Sequence, residues 1–124
     1  MSNLKALQTN RGTVYVAANK YDYIENIIDS ISLCSDIKKV VLFGSAASGT
    51  STDSSDIDLS LFGSMRLSQY YRSKDYRRFL NSVYSYNNHL DYQDYDILYY
   101  QSGKEYDDNI LEDINRGVVL YEKE

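Results

Sequence analysis

VVLFGSAASGTSTDSSDIDLSLF, residues 40–62, is the stretch around which the rest of the 124-residue chain is read. It opens on Val40-Val41-Leu42-Phe43, an apolar run short and β-branched enough for a buried strand. Gly44-Ser45 breaks the run, and small residues follow as far as Ser55. From Asp56 to Phe62 polar and apolar residues alternate, which predicts a second strand. Strand side chains point to opposite faces with period two, so Asp56 and Asp58 project from one face. Ile57, Leu59 and Leu61 point the other way, into a core.

Two carboxylates side by side on one face repel each other, and such a pair shares a proton or binds a cation. Mg²⁺ suits them, because it takes one or two carboxylates together with phosphate oxygens. A glycine turn followed by a serine hydroxyl and backbone N–H groups suits phosphates. A short helix over 44–49 would turn its N-terminus toward that site. Gly44, Ser45 and Ser55 are the candidate nucleotide contacts, although the serines and threonines from Ser48 to Ser55 also read as loop residues. Acids that bind metal next to a phosphate cradle imply phosphoryl or nucleotidyl transfer.

Working outward, residues 21–35 form an amphipathic helix, with Ile24, Ile27, Ile28 and Ile31 on one stripe. Residues 36–39 connect it to the first strand. Beyond Gly63-Ser64 a long helix is expected over 68–87, capped by Ser68, with Tyr76, Phe79, Leu80 and Val83 inward. Residues 95–100 read as a third strand. A last helix is expected over 104–117, with Tyr106, Ile110, Leu111 and Ile114 on one side and Gly117 as C-cap. The apolar tail 118–121 packs back on the sheet. Residues 1–20 form an N-terminal arm with an edge strand at 13–17, and 21–124 a single domain. The fold class is α+β, a small mixed sheet packed with helices.

Composition narrows the function. A formal net charge of −5 argues against a nucleic-acid footprint, which needs a basic face. The exposed face of the second helix, with Arg72, Lys74, Arg77 and Arg78, reads as solvated. Cys34 is the single cysteine, so no internal disulfide forms, and it reads as a buried thiol in a reducing, cytoplasmic setting. No apolar run is long enough to span a bilayer, and the first 20 residues lack the apolar centre of a signal peptide. His89 reads as a surface residue in a polar turn rather than a ligand. Fourteen tyrosines suggest a partner interface, with Tyr99, Tyr100, Tyr106 and Tyr121 as aromatic anchors.

Gly44-Ser45, ten further positions, then Asp56-Ile57-Asp58-Leu59 resembles the signature of the polymerase β-like nucleotidyltransferase superfamily. In length the chain is most similar to the minimal nucleotidyltransferases, often encoded beside a HEPN-domain partner. The resemblance implies the polymerase β-like palm fold and a third acid on a later strand. Asp96, followed by Ile97-Leu98, fits that pattern better than Asp94, which would share its face. It also implies Mg²⁺ and ATP as cofactors. Asp56, Asp58 and Asp96 would be the metal-binding and catalytic residues, and AMP would pass to a hydroxyl of a HEPN toxin. Family members often carry a basic residue soon after Gly-Ser, where this chain has Ala46-Ala47-Ser48. Two alternatives stand beside this reading: a non-catalytic antitoxin that works by binding, and an antibiotic-modifying nucleotidyltransferase.

Overall fold

A computed structural model of the chain describes residues 3–86 and 92–123. In chain order the elements are β1 (Leu4–Thr9), β2 (Gly12–Ala17), α1 (Tyr21–Ile31), β3 (Ile37–Phe43) and α2 (Ser45–Ser48). They continue with β4 (Ile57–Gly63), α3 (Leu67–Tyr70), α4 (Lys74–Ser85), β5 (Tyr95–Gln101), α5 (Ile110–Asn115) and β6 (Val118–Glu122). Four strands form a mixed sheet in the order β5-β4-β3-β6. β3 runs antiparallel to β4 and β6, and β4 runs parallel to β5, so α3 and α4 form the crossover between those two.

Alternation along the strands sorts their side chains onto two faces. Val40, Leu42, Ile57, Leu59 and Leu61 are fully buried against Ile24 and Ile27 of α1 and Phe79 and Val83 of α4. The opposite face carries a smaller cluster, Val41, Phe43, Tyr100 and Ile114, beneath α5. The 1–20 arm is, from Leu4 on, a β1–β2 hairpin, and Leu7 and Val16 reach the larger core. The expected strand at 13–17 is its second half; the first half, LKALQT, shows too little apolar alternation to announce itself.

Three expected helices are shorter than their periodicity suggested; the one expected over 21–35 ends at Ile31, where the Cys34 N–H donates to the Ile31 carbonyl in a closing turn. The 68–87 helix is broken at Ser73, whose hydroxyl donates to the Tyr70 carbonyl at 2.6 Å and accepts the Tyr76 N–H at 3.1 Å. It therefore ends α3 and caps α4, a role assigned to Ser68 from sequence. The 104–117 helix begins only at Ile110, because the Asp108 carboxylate takes the Ile110 N–H at 3.1 Å and the Tyr100 hydroxyl at 3.2 Å. Tyr106 belongs to the preceding loop, where its hydroxyl accepts the Gln101 N–H at 2.8 Å. The connector at 36–39 is mostly strand, and the apolar tail is β6.

Tyr99 and Tyr100, expected as exposed anchors, are buried. Tyr99 stacks on Tyr70 and donates to the Met65 carbonyl at 2.7 Å. Burial pushes the Cys34 thiol up to about 11, as expected of an inert cysteine. Arg72, Lys74, Arg77 and Arg78 are exposed. His89 lies outside the described residues.

Candidate active site

β3 ends, and β4 and β5 begin, at the same end of the sheet. The register there pairs Phe43 with Asp58, and Asp58 with Asp96. Paired positions share a face, so the two carboxylates stand side by side on the face that α5 covers only further along. Asp58 is half-buried, and Asp96 and Asp56 are exposed. Asp56 sits one residue before β4. Burial, then the charges of Asp96 and Asp56, hold the Asp58 carboxyl above its usual range. Among the described residues no hydrogen bond or salt bridge reaches any of these three carboxylates.

Asp94 is differently placed. Its carboxylate accepts the Tyr84 hydroxyl at 2.8 Å and the Tyr95 N–H at 3.0 Å, and the register puts Asp96, not Asp94, next to Asp58.

Gly44 closes the site from the β3 side. Its φ of 73° lies in the left-handed region, and a Cβ there would collide with the Asp58 carboxylate oxygen. The sequence Phe-Gly-Ser thus turns the backbone over Asp58 as no other residue would allow. One turn of helix follows, with the Gly44 carbonyl accepting the Ala47 and Ser48 N–H groups at 3.1 Å. Ser45 is half-buried next to this turn. Ser55 serves the loop instead: its hydroxyl accepts the Thr52 N–H at 2.9 Å.

Two side chains that the sequence reading missed belong to this end of the molecule. Lys20 is buried, and its Nζ donates to Gln93 Oε1 at 2.6 Å and to the Asp53 carbonyl at 3.1 Å. Gln93 in turn donates to the Ser55 carbonyl at 3.0 Å, so the pair fixes the loop that delivers Asp56. Burial lowers the Lys20 pKa, partly offset by Asp53 and Asp56. Nothing in the polar sequence of the arm announces such a lysine. The second is Arg116, which lines a cavity of about 400 Å³ with Gly44, Ala47, Ser48, Asp113 and Gly117.

A cavity of about 400 Å³ on one side of the glycine turn, with a carboxylate pair that no donor reaches among the described residues on the other, is an arrangement suited to phosphoryl or nucleotidyl transfer. Residues 25–124 match the family described as polymerase beta, nucleotidyltransferase, and the chain belongs to that family. No curated protein matches the chain. Members typically use Mg²⁺ and a nucleoside triphosphate. Among the described residues no three acid, histidine or cysteine side chains lie close enough to form a ready cage for a metal. The donors nevertheless fit Mg²⁺, which takes hard oxygens and needs only one or two carboxylates besides phosphate. Asp58 and Asp96, mutually repelling and without donors, offer that pair. Among the described residues no helix is long and apolar enough to cross a membrane.

Proposed function

We propose that the chain transfers AMP from ATP to a hydroxyl group of a protein acceptor, a HEPN-domain partner, and acts as its antitoxin. The observation that carries the reading is the in-register pair Asp58–Asp96 beside Gly44, at the end of the sheet face that α5 covers further along. Asp58 and Asp96 would hold Mg²⁺, with Asp56 adding its charge from the residue before β4. When bound, Mg²⁺ neutralises triphosphate charge and acidifies the acceptor hydroxyl. Gly44 and Ser45 keep the phosphate chain against the β3 turn, in line for attack. The acceptor oxygen forms a bond to the α-phosphorus, the bond from that phosphorus to the β-phosphate oxygen breaks, and pyrophosphate leaves. The exposed Asp96 carboxylate takes the hydroxyl proton.

The exposed Asp56 and Asp96 carboxylates, open to solvent among the described residues, favour a macromolecular acceptor docked over them. With Tyr99 and Tyr100 buried, the exposed Tyr15, Tyr71, Tyr86 and Tyr92 supply the aromatic contacts for a partner. A second reading, an antitoxin that binds without catalysis, draws on Ala46-Ala47-Ser48, which leaves the turn without a cation.

Incubating the purified chain with ATP, Mg²⁺ and its co-encoded HEPN partner separates the two. The expected result is a mass gain of one AMP on a hydroxyl side chain of the partner, absent with Asp56→Ala. Neutralisation of the partner without a mass change, equally by wild type and Asp56→Ala, makes binding the function.

A further inference from the structure

The proposed site is short of positive charge. Asp56, Asp58 and Asp96 face it, and a triphosphate would add several negative charges that one or two metal ions leave partly uncompensated. No Lys or Arg occurs from Gly44 to Ser55. Lys20 is already engaged with Gln93 and the Asp53 carbonyl.

The cavity next to Gly44 does carry one cation, Arg116, beside its ion-pair partner Asp113. α5 ends at Asn115, and Gly117 then packs so tightly on β3 that a Cβ there would strike the Leu42 carbonyl oxygen. That contact anchors the α5–β6 turn two residues from Gly44 and brings Arg116 to the cavity that Ser48 also lines. The Arg116 side chain is 73% exposed, and its guanidinium is steadied by Asp113 Oδ1 at 2.7 Å. A guanidinium has five donors in a planar fork, so one exposed ion pair leaves most of them to a ligand.

We propose that Arg116 binds the terminal phosphates of the nucleotide in the cavity it shares with Gly44 and Ser48. The assignment rests on the nucleotidyltransferase reading of the acid row, but its ligand chemistry is testable apart from it. Arg116 reaches the phosphates from the far end of the chain and supplies the charge that the Ala46-Ala47-Ser48 turn lacks.

The test is calorimetric titration of the full chain with Mg²⁺ and either inorganic triphosphate or ATP. Arg116→Gln is expected to weaken both ligands at least about tenfold, since a charge-assisted phosphate contact is lost. The melting temperature should stay at the wild-type value, the side chain being solvent-exposed. Adding Ser48→Arg to Arg116→Gln should recover most of the lost affinity, because both positions line one cavity. ATP binding of equal strength in wild type and Arg116→Gln overturns the assignment and leaves the nucleotide site standing. Wild type that binds inorganic triphosphate through Arg116 but not ATP keeps Arg116 as a polyphosphate contact and overturns both its assignment to ATP and the proposed AMP transfer. Wild type that binds neither removes both.

Discussion

At the Ile37 end of the sheet, two carboxylates are fully engaged by the fold. Asp75, only 7% exposed, accepts the N–H groups of Ser35 and Asp36 at 2.9 Å each and the Ser35 hydroxyl at 3.1 Å. Asp36 accepts the Met65 N–H at 3.1 Å, the Ser64 N–H at 3.2 Å and the Ser64 and Tyr99 hydroxyls. At the Phe43 end, Asp58 and Asp96 have each other and no donor among the described residues. The chemical group is the same and its use is opposite. An acid ringed by backbone N–H groups holds loops together, whereas an acid beside another acid waits for a cation.

The sharpest way to break this comparison is to remove charge at each end in turn. On the proposed function, Asp58→Asn should reduce AMP transfer at least about a thousandfold, or about 4 kcal/mol of transition-state stabilisation. Its melting temperature should match or exceed that of wild type, because one of two repelling carboxylates is gone. Transfer assayed with Mg²⁺ and ATP alongside a thermal melt checks both halves; full activity in Asp58→Asn would remove Asp58 from the site. At the other end, Asp75→Ala strands the Ser35 and Asp36 N–H groups and should cost about 1.5–3 kcal/mol of stability. Urea denaturation measures that loss, and nucleotide affinity of the folded protein should not change with it.

Gly44 joins the two kinds of effect. Gly44→Ala places an L-residue in the left-handed region, at a cost of about 1–2 kcal/mol, and drives its Cβ into the Asp58 carboxylate. Stability and Mg-ATP affinity should therefore fall together. A variant that loses stability alone would mean that the carboxylate's position over the turn does not matter for binding.

Much of this was legible in residues 40–62. β3, β4 and the single turn of α2 lie within a residue or a few of where alternation and Gly44 put them. Period two on a buried strand is a strong signal because one face must be apolar. The family pattern and strand alternation pointed to Asp96 rather than Asp94, and β5, pairing in parallel, sets Asp96 beside Asp58. What stayed hidden depends on contacts distant in sequence. Ser73 and Asp108 set helix starts through hydrogen bonds that no periodicity encodes. Tyr99 and Tyr100 looked like surface aromatics in a tyrosine-rich chain, yet Tyr99 packs on Tyr70 and Tyr100 on Phe62. Lys20 and Arg116 reach their places only when the hairpin and the last turn have docked.

The smallest effect expected is a pH dependence, and it sharpens the contrast without touching activity. Burial and the neighbouring Asp96 raise the Asp58 carboxyl above its usual value, so the folded state binds that proton more tightly than the unfolded chain does. Between the ordinary carboxylate pKa and the raised one, the folded state therefore carries more protons than the unfolded state. Stability contributed by this group falls as pH rises through that window and is regained on acidification. Asp58→Asn has no such proton, so the difference in unfolding free energy between the variant and wild type isolates it. The variant should be slightly the more stable at about pH 7, with the difference shrinking toward about pH 3, where both carry a neutral side chain. The magnitude should lie below the effects above, because the carboxylate is only half-buried and solvent screens the repulsion. Metal-free denaturation curves at several pH values supply the measurement. A variant that is less stable than wild type at neutral pH and gains on it under acid would show Asp58 to be held by a stabilising donor. It would then belong with Asp36 and Asp75, not with Asp96.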